Sequence, residues 1–391
     1  MDLRGSFPLG RLFGIPLRIH YSWFIIFVLL TLSLAILLPP RSLQLSTVQA
    51  WALGVITSLL FFASVLSHEL AHSLVARAYG IPVRGITLFI LGGVSQLGRE
   101  APRPRSELLM AFVGPLSSLV LGAILLGGVA PVTREAAPPM AVVATWLGGI
   151  NLALGVFNLI PGFPLDGGRV LRALLWMVTG DMPKATIVAS WIGRGVGFLF
   201  ILAGVFTLFG GHVPGLDDSP IGGIWLAFIG WFLENAASTS QRQLQTHLSL
   251  RDVTASSVMT RDFVTAPSNL AIEQLVRSYL LPFNPSAVLA TQLDSLVGVF
   301  THRDLHRFPK SSWSTLTLGQ AMTPLAQTKI VRPTEPASNL LSDMEEGEGV
   351  VLVMEGTQVV GIVDYDSLSR FVRVRAALRS SGPPPGPRAP A

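Results

Sequence analysis

Cysteine is absent from the 391 residues, and charged side chains are scarce. Without cysteine there are no disulfides and no thiolate ligands, so a metal ion would have to be held by histidine and carboxylate groups. Asp, Glu, Lys and Arg make up 13% of the chain, against about a quarter in soluble proteins. The net charge is only +5 and no dense run of lysine or arginine is present, which argues against a nucleic-acid partner.

Long apolar runs are abundant: half of the residues are hydrophobic, and the mean hydropathy is +0.55. Runs of about 20 apolar residues can cross a bilayer as helices, so the pattern predicts a multi-span α-helical membrane protein embedded in the lipid bilayer. Residues 1–18 form a short basic lead, and the first run is expected to be a retained anchor because it lacks a small-residue cleavage site. The six predicted transmembrane helices are residues 21–38, 51–78, 108–130, 140–159, 187–209 and 221–233.

The second predicted span contains the segment His68-Glu69-Leu70-Ala71-His72. Two histidines four residues apart lie on one face of a helix, so both can bind one zinc ion, and Glu69 would lie beside the metal to handle protons of a bound water. In a soluble helix this pattern is about as often structural as functional. Inside a membrane segment, however, ionisable residues are costly and indicate function. Asp166, in a glycine-rich turn, is the candidate third ligand.

Lysine and arginine residues indicate the orientation of the predicted spans. With the N-terminus inside, eleven of them lie in inside segments and two in outside loops. This orientation places both histidines and Asp166 toward the cytosolic face. The inside residues are Arg4, Arg11, Arg18, Arg77, Arg84, Arg99, Arg103, Arg105, Arg169, Arg172 and Lys184, and the outside residues are Arg41 and Arg134.

Residues 83–97 are rich in β-branched side chains and too short to span, which favours two strands that form a membrane-associated β-hairpin. At membrane depth such backbone has to be covered by protein or line a wet cavity. Gly92 and Gly93 have two interpretations. They form a tight turn that needs a positive φ, or they belong to a strand edge that pairs with an extended substrate segment.

Four motifs occur in the first 235 residues, at 67–73, 89–94, 111–115 and 158–168. The last has the sequence Asn-Leu-Ile-Pro-Gly-Phe-Pro-Leu-Asp-Gly-Gly. With these motifs the chain resembles the site-2 proteases, which are intramembrane zinc metalloproteases of the peptidase M50 type. The resemblance implies one Zn²⁺ held by His68, His72 and Asp166, with Glu69 as the catalytic residue. It also implies that Asn158 contacts the substrate or the developing oxyanion; the alternative is a helix C-cap.

Residues 241–379 have an ordinary content of charged side chains. This composition predicts a cytosolic α/β module that follows a transmembrane domain of residues 1–240. The module contains an internal repeat, with copies at about 250–310 and 315–375. Residues 380–391 are rich in proline and glycine and are expected to be disordered.

The repeat resembles a tandem pair of CBS domains, in which a Gly-x-x-Thr-x-x-Asp element binds the ribose of an adenine nucleotide. The first copy has this element at Gly298, Thr301 and Asp304, whereas the second copy has Asp364 and Ser367 at the threonine and aspartate positions. The resemblance therefore implies nucleotide binding by Thr301 and Asp304. The alternative is a module for dimerisation or substrate docking, through which the chain would form a homo-oligomer.

Taken together, these resemblances imply regulated intramembrane proteolysis. The zinc metalloendopeptidase would hydrolyse a peptide bond in or near the span of a single-span membrane protein, with the CBS pair regulating activity. The implied substrates are an anti-sigma factor, a pro-sigma factor or a signal-peptide remnant, and the implied location is the bacterial inner membrane. The competing hypothesis is a CBS-gated transporter or channel. A transporter should have two related halves in its membrane part, and the sequence shows none.

Overall fold

The computed structural model describes residues 5–38, 43–90, 92–213, 219–250, 252–293, 295–345 and 349–380. The chain divides into two compact units, residues 1–242 and 243–391. Apart from Ser380, the tail predicted to be disordered lies outside the described residues.

The first unit consists of helices and one small sheet. One helix of this unit ends at Ile124 and continues through one turn of π-helix at Leu125–Val129 into the helix that begins at Ala130. The elements in chain order are β1 (Ser6–Leu12), β2 (Ile15–His20), α1 (Ser22–Leu37), α2 (Thr47–Ala78), β3 (Val83–Phe89), β4 (Gly92–Leu97), α3 (Pro104–Ile124), α4 (Ala130–Ala136), α5 (Pro138–Asn158), α6 (Asp166–Thr179), α7 (Met182–Leu208) and α8 (Pro220–Leu250).

Four segments among the described residues are long and apolar enough to cross a membrane: α2, the joined α3–α4 segment, α5 and α7. They correspond to four of the six predicted spans. α1 is apolar but has only 16 residues, and α8 becomes polar from Glu234 onward. The count of six spans therefore stays a prediction.

α2 is the helix against which α1, α3 and the sheet pack. It begins after Ser46 because the Ser46 and Gln49 side chains cap its first turn in a reciprocal capping box. Its contact with α1 includes a buried hydrogen bond from Thr31 Oγ1 to Ser58 Oγ of 3.0 Å. Its C-terminal half contains His68 and His72, both of which are buried.

The sheet has the strand order β1-β2-β3-β4. β1–β2 and β3–β4 are antiparallel pairs, and β2 runs parallel to β3. The expected hairpin is therefore half of a larger sheet, and the segment expected to be a basic lead supplies the other half. Gly92 and Gly93 are the first residues of β4, and Gly92 has a φ of +129°. In the described part of the chain, β4 is an edge strand of this sheet.

The second unit contains two copies of one strand arrangement. In each copy a parallel strand pair is followed by an antiparallel partner. The strands are β5 (Val264–Pro267), β6 (Ala287–Gln292) and β7 (Ser295–Thr301) in one copy, and β9 (Ile330–Val331), β10 (Val350–Glu355) and β11 (Gln358–Asp364) in the other. Leu289 and Val299 of the first copy share an apolar cluster with Leu352 and Ile362 of the second. The elements are α9 (Ala255–Val258), β5 (Val264–Pro267), α10 (Ile272–Leu275), α11 (Leu281–Phe283), β6 (Ala287–Gln292), β7 (Ser295–Thr301), α12 (His302–Leu305), α13 (Leu318–Ala321), β8 (Thr323–Pro324), β9 (Ile330–Val331), α14 (Ala337–Glu345), β10 (Val350–Glu355), β11 (Gln358–Asp364) and α15 (Tyr365–Ser380).

Candidate active site

Three side chains that the sequence singled out come together in the first unit. Nε2 of His68 lies 3.1 Å from Oδ2 of Asp166, and Nε2 of His72 lies at the same distance from that oxygen. The two Nε2 atoms are 3.2 Å apart. Asp166 is the first residue of α6, and the loop before this helix brings its carboxylate to the histidines of α2.

The donor chemistry of these atoms indicates a cation site. Nδ1 of His72 lies 2.6 Å from the carbonyl oxygen of Met110, which only accepts, so Nδ1 carries the hydrogen and donates. In the neutral imidazole Nε2 then has a lone pair, and this lone pair faces the Asp166 carboxylate. Two acceptors at such a distance repel each other unless a cation, either a metal ion or a proton on Nε2, lies between them.

The spacing of the three atoms fits zinc. Ligand atoms at about 2.0–2.1 Å from a tetrahedral zinc ion lie roughly 3.3 Å from one another. The observed separations of 3.1, 3.1 and 3.2 Å are close to that value. In the part of the chain that the structure describes, His68, His72 and Asp166 form the only group of three such residues with this arrangement.

The other nitrogen of each histidine is held by α3. Nδ1 of His68 lies 3.0 Å from Oγ of Ser118, and Nδ1 of His72 donates to Met110. Such partners fix the ring orientation and tautomer of a metal-binding histidine. Sequence reasoning missed both contacts, because they join residues 50 and 38 positions apart.

Glu69 follows His68 on α2, and β4 holds its side chain. Ser95 Oγ lies 2.7 Å from Glu69 Oε2, to which it donates, and Ser73 Oγ donates to Ser95. A Cβ atom on Gly93 would lie 2.6 Å from Cγ of Glu69, so only glycine lets β4 approach this closely. Ser95 of the sheet therefore orients the Glu69 carboxylate, which is expected to handle protons. Sequence reasoning did not identify this role of Ser95.

Electrostatics around α6 keep Asp166 ionised. Burial by itself raises the pKa of Asp166, but hydrogen bonds with His68 and His72 outweigh it and hold the pKa well below its ordinary value. Burial also opposes the charge of Arg169, while the Glu107 carboxylate raises the pKa of that guanidinium above its ordinary value. Both groups are therefore charged at neutral pH.

Asn158 does not join this cluster by any described hydrogen bond. It is the last residue of α5, and its Nδ2 donates to the carbonyl oxygen of Leu154 in the same helix at 3.1 Å. This arrangement favours the helix-end alternative over a contact with substrate, and the predicted catalytic role of Asn158 stays untested.

The predicted nucleotide residues lie at the start of α12 in the second unit. Thr301 and Asp304 form a capping box, in which the Thr301 amide and hydroxyl both donate to Asp304 Oδ2 at 2.9 Å. In the second copy Asp364 and Ser367 make the same exchange with the residue types reversed, because the Asp364 amide donates to Ser367 Oγ and the Ser367 amide donates to Asp364 Oδ1. A capping function thus accounts for the spacing of both elements.

Two open cavities flank this part of the second unit. One, of about 250 Å³, is lined by Thr301, Asp304, Thr328 and Lys329, among others. The other, of about 460 Å³, is lined by His302, Arg303, Asp364 and Asp366, among others. Arg303 lines both cavities. The first adds Lys329 and one carboxylate and the second adds His302 and two carboxylates, so the first is the better place for an anionic ligand.

Known proteins resemble this chain along nearly its whole length. The sequence model of peptidase family M50 matches residues 56–136 and 126–203. The "Putative zinc metalloprotease Rip3" of Mycobacterium tuberculosis is 38% identical over 377 residues, which cover 95% of this chain and 94% of that protein. The chain therefore belongs to peptidase family M50. It is a zinc metallopeptidase and, with its apolar helices, an integral membrane protein.

Two solved structures resemble parts of this chain. The site-2 protease from Methanocaldococcus jannaschii is 30% identical and covers 61% of this chain and 95% of its own, with a TM-score of 0.42. A CBS-domain-containing protein from Agrobacterium tumefaciens, ATU1752, is 21% identical and covers 30% of this chain and 92% of its own, with a TM-score of 0.28.

Proposed function

We propose that this chain is an intramembrane endopeptidase that cleaves membrane-tethered proteins in or near their spans. The supporting observation is the convergence of His68, His72 and Asp166 in a unit whose main helices are long and apolar enough to cross a bilayer. These three residues would hold Zn²⁺. A hydrolytic centre within apolar helices suits a substrate whose scissile bond is itself in the membrane.

The chain supplies the proton transfer and the orientation for this chemistry. Zinc bound by the three residues would polarise the scissile carbonyl and lower the pKa of a water molecule. Glu69 accepts the proton of the attacking water and passes it to the leaving amine nitrogen as the C–N bond breaks. Ser95 holds Oε2 of Glu69, which leaves Oε1 free to take that proton. We assign no step to Asn158.

The edge of β4 is the proposed place for the substrate chain. A helical substrate has its carbonyl groups in internal hydrogen bonds and has to be extended before it can be cleaved. Adding one strand to an exposed sheet edge holds a peptide extended. Because Gly93 and Ser95 of β4 contact Glu69, a strand paired with β4 would lie beside the proposed proton acceptor. Gly92 and Gly93 would keep this edge free of side chains.

The second unit is proposed to be a tandem CBS pair that regulates cleavage. An adenine nucleotide would occupy the cavity lined by Thr301, Asp304 and Lys329. The acidic residues Asp364 and Asp366 make the other cavity less suitable for phosphate groups. CBS modules also serve as dimerisation sites, and a homo-oligomer is part of this proposal.

The membrane placement follows from charge. We propose six passes through the bacterial inner membrane, with the N-terminus and the CBS pair in the cytoplasm, because arginine and lysine are concentrated on that side. The substrates proposed are an anti-sigma factor, a pro-sigma factor or the remnant of a signal peptide.

Cleavage of a single-span substrate by the purified full chain in liposomes tests the function. Glu69→Gln should reduce the rate about 10²- to 10⁴-fold, the usual contribution of a general base, while zinc content stays at the parent level. Asp166→Ala should lose both zinc and activity. Cleavage by Glu69→Gln at the parent rate, or full zinc content in Asp166→Ala, would contradict the assignment.

A further inference from the structure

A buried carboxylate outside the proposed zinc site connects α3 to α6. Glu107, in the first turn of α3, is 1% exposed. Its Oε1 accepts hydrogen bonds from Arg169 Nε at 3.0 Å and Arg172 Nη2 at 2.5 Å, and its Oε2 accepts from Arg169 Nη2 at 3.5 Å. A buried acid is rare without such partners, because desolvation of a lone charge is expensive.

The position of Arg169 gives this contact its significance. Arg169 is three residues after Asp166 on α6, a spacing at which a carboxylate and a guanidinium on one helix readily pair. The described hydrogen bonds of the Arg169 side chain nevertheless go to Glu107. Asp166 Oδ2 faces His68 and His72 instead.

Arg172 is a less plausible competitor for Asp166. It is six residues after Asp166, so it is turned well away from Asp166 around the helix. Its guanidinium also has other partners: it lies over the ring of Phe163, 5.3 Å from the centroid, and within 3.6 Å of Glu100.

We propose that Glu107 is a positioning residue that holds the Arg169 guanidinium on α3 and thereby leaves the Asp166 carboxylate available to the metal. This inference rests on the ligand role proposed for Asp166. Without the negative charge of Glu107, the Arg169 guanidinium, whose side chain is 22% exposed, would lose its described acidic partner, and the only acid on its own helix is Asp166. An arginine paired with that carboxylate competes with zinc for it.

Zinc affinity of the purified full chain, measured by competition with a chromogenic chelator, tests the proposal independently of proteolysis. Glu107→Gln should weaken zinc binding about 10- to 100-fold, the usual effect of removing a partner that orients a metal ligand. Adding Arg169→Gln to it should restore the affinity to within about threefold of the parent, because the competitor is then gone. A merely structural Glu107 would show no such rescue.

A second Arg–Glu pair, with the same Nε–Oε1 distance but more exposed side chains, provides the control. Arg194 Nε lies 3.0 Å from Glu234 Oε1, between α7 and α8. Glu234→Gln should leave zinc affinity unchanged. If Glu107→Gln does not fold, Glu107→Asp takes its place: the shorter side chain should loosen Arg169 and weaken zinc binding, and Arg169→Gln should again restore it.

The outcomes separate this inference from the proposed function. Parent-like zinc affinity in Glu107→Gln overturns the inference, as does a double variant that binds no better than Glu107→Gln alone. In both cases Asp166→Ala still has to lose zinc if the ligand assignment is right. Parent-like zinc binding in Asp166→Ala overturns the ligand assignment, and the inference with it.

Discussion

The backbone of Gly114 lies directly against the imidazole of His72. A Cβ atom at Gly114 would lie 2.1 Å from Nε2 of His72 and 2.8 Å from Nε2 of His68. No side chain fits there, so α3 can approach α2 closely enough to place Ser118 and the Met110 carbonyl on the two Nδ1 atoms. The close approach of the two helices and the orientation of the histidines therefore depend on one glycine.

Gly114→Ala should accordingly displace His72 and weaken zinc binding by at least about 10-fold, the scale expected when the support of a ligand is disturbed. Metal content after dialysis measures this effect. Gly149→Ala is the matched control, because a Cβ on this helical glycine of α5 would meet nothing within 4 Å. The control should keep its zinc; equal loss from both variants would mean that any added methyl group perturbs the fold.

Ser118→Ala should remove the partner of His68 Nδ1, which lies 3.0 Å away. We expect about 10-fold weaker zinc binding, because the ring is then free to rotate and change tautomer. Its neighbour provides the control: Ser117 Oγ donates to the carbonyl oxygen of Gly114 within the same helix, so Ser117→Ala should bind zinc as the parent does. Chelator competition on both proteins measures the difference, and identical affinities would remove Ser118 from the site.

Residues close together in sequence were predictable, and contacts between distant ones were not. His68, Glu69 and His72 lie within five consecutive residues of one helix, so their spacing alone fixes their relation. Glu107 and Arg169 are 62 positions apart, and nothing in the local pattern around either residue selects the other. An ionisable residue at the start of an apolar run was the available signal for Glu107.

The sheet shows the same limit. The strand pattern of residues 83–97 was recognisable from its β-branched side chains. Residues 6–20 contain Pro8, Gly10 and Pro16, which are poor strand formers and hide the pattern. β2 becomes a strand by pairing in parallel with β3, whose residues are almost 70 positions further along the chain. Only the tertiary structure supplies that partner.

The proposed use of the β4 edge can be tested by disulfide cross-linking, for which this chain is unusually suitable because it has no cysteine. Single cysteines at Val94 and Gln96 should each cross-link to cysteines in a bound substrate. An added strand has a two-residue period, so moving the enzyme cysteine by two should move the best substrate position by two. Gel electrophoresis without reductant detects the product, and Glu69→Gln slows turnover during the experiment. If the best substrate position does not shift by two residues with the enzyme cysteine, strand pairing is contradicted.

Nucleotide binding by the second unit can be assigned to one of its two cavities. With an adenine nucleotide at about 100 times its Kd, binding should stabilise that unit by about 2.7 kcal/mol and raise its unfolding temperature. Lys329→Ala, in the cavity with Thr301 and Asp304, should abolish the shift because a phosphate partner is lost. Asp366→Ala, in the other cavity, should leave it intact. If the parent shows no shift at any nucleotide concentration, the module is a docking or dimerisation element. If Asp366→Ala alone abolishes the shift, the nucleotide occupies the cavity lined by Asp364 and Asp366.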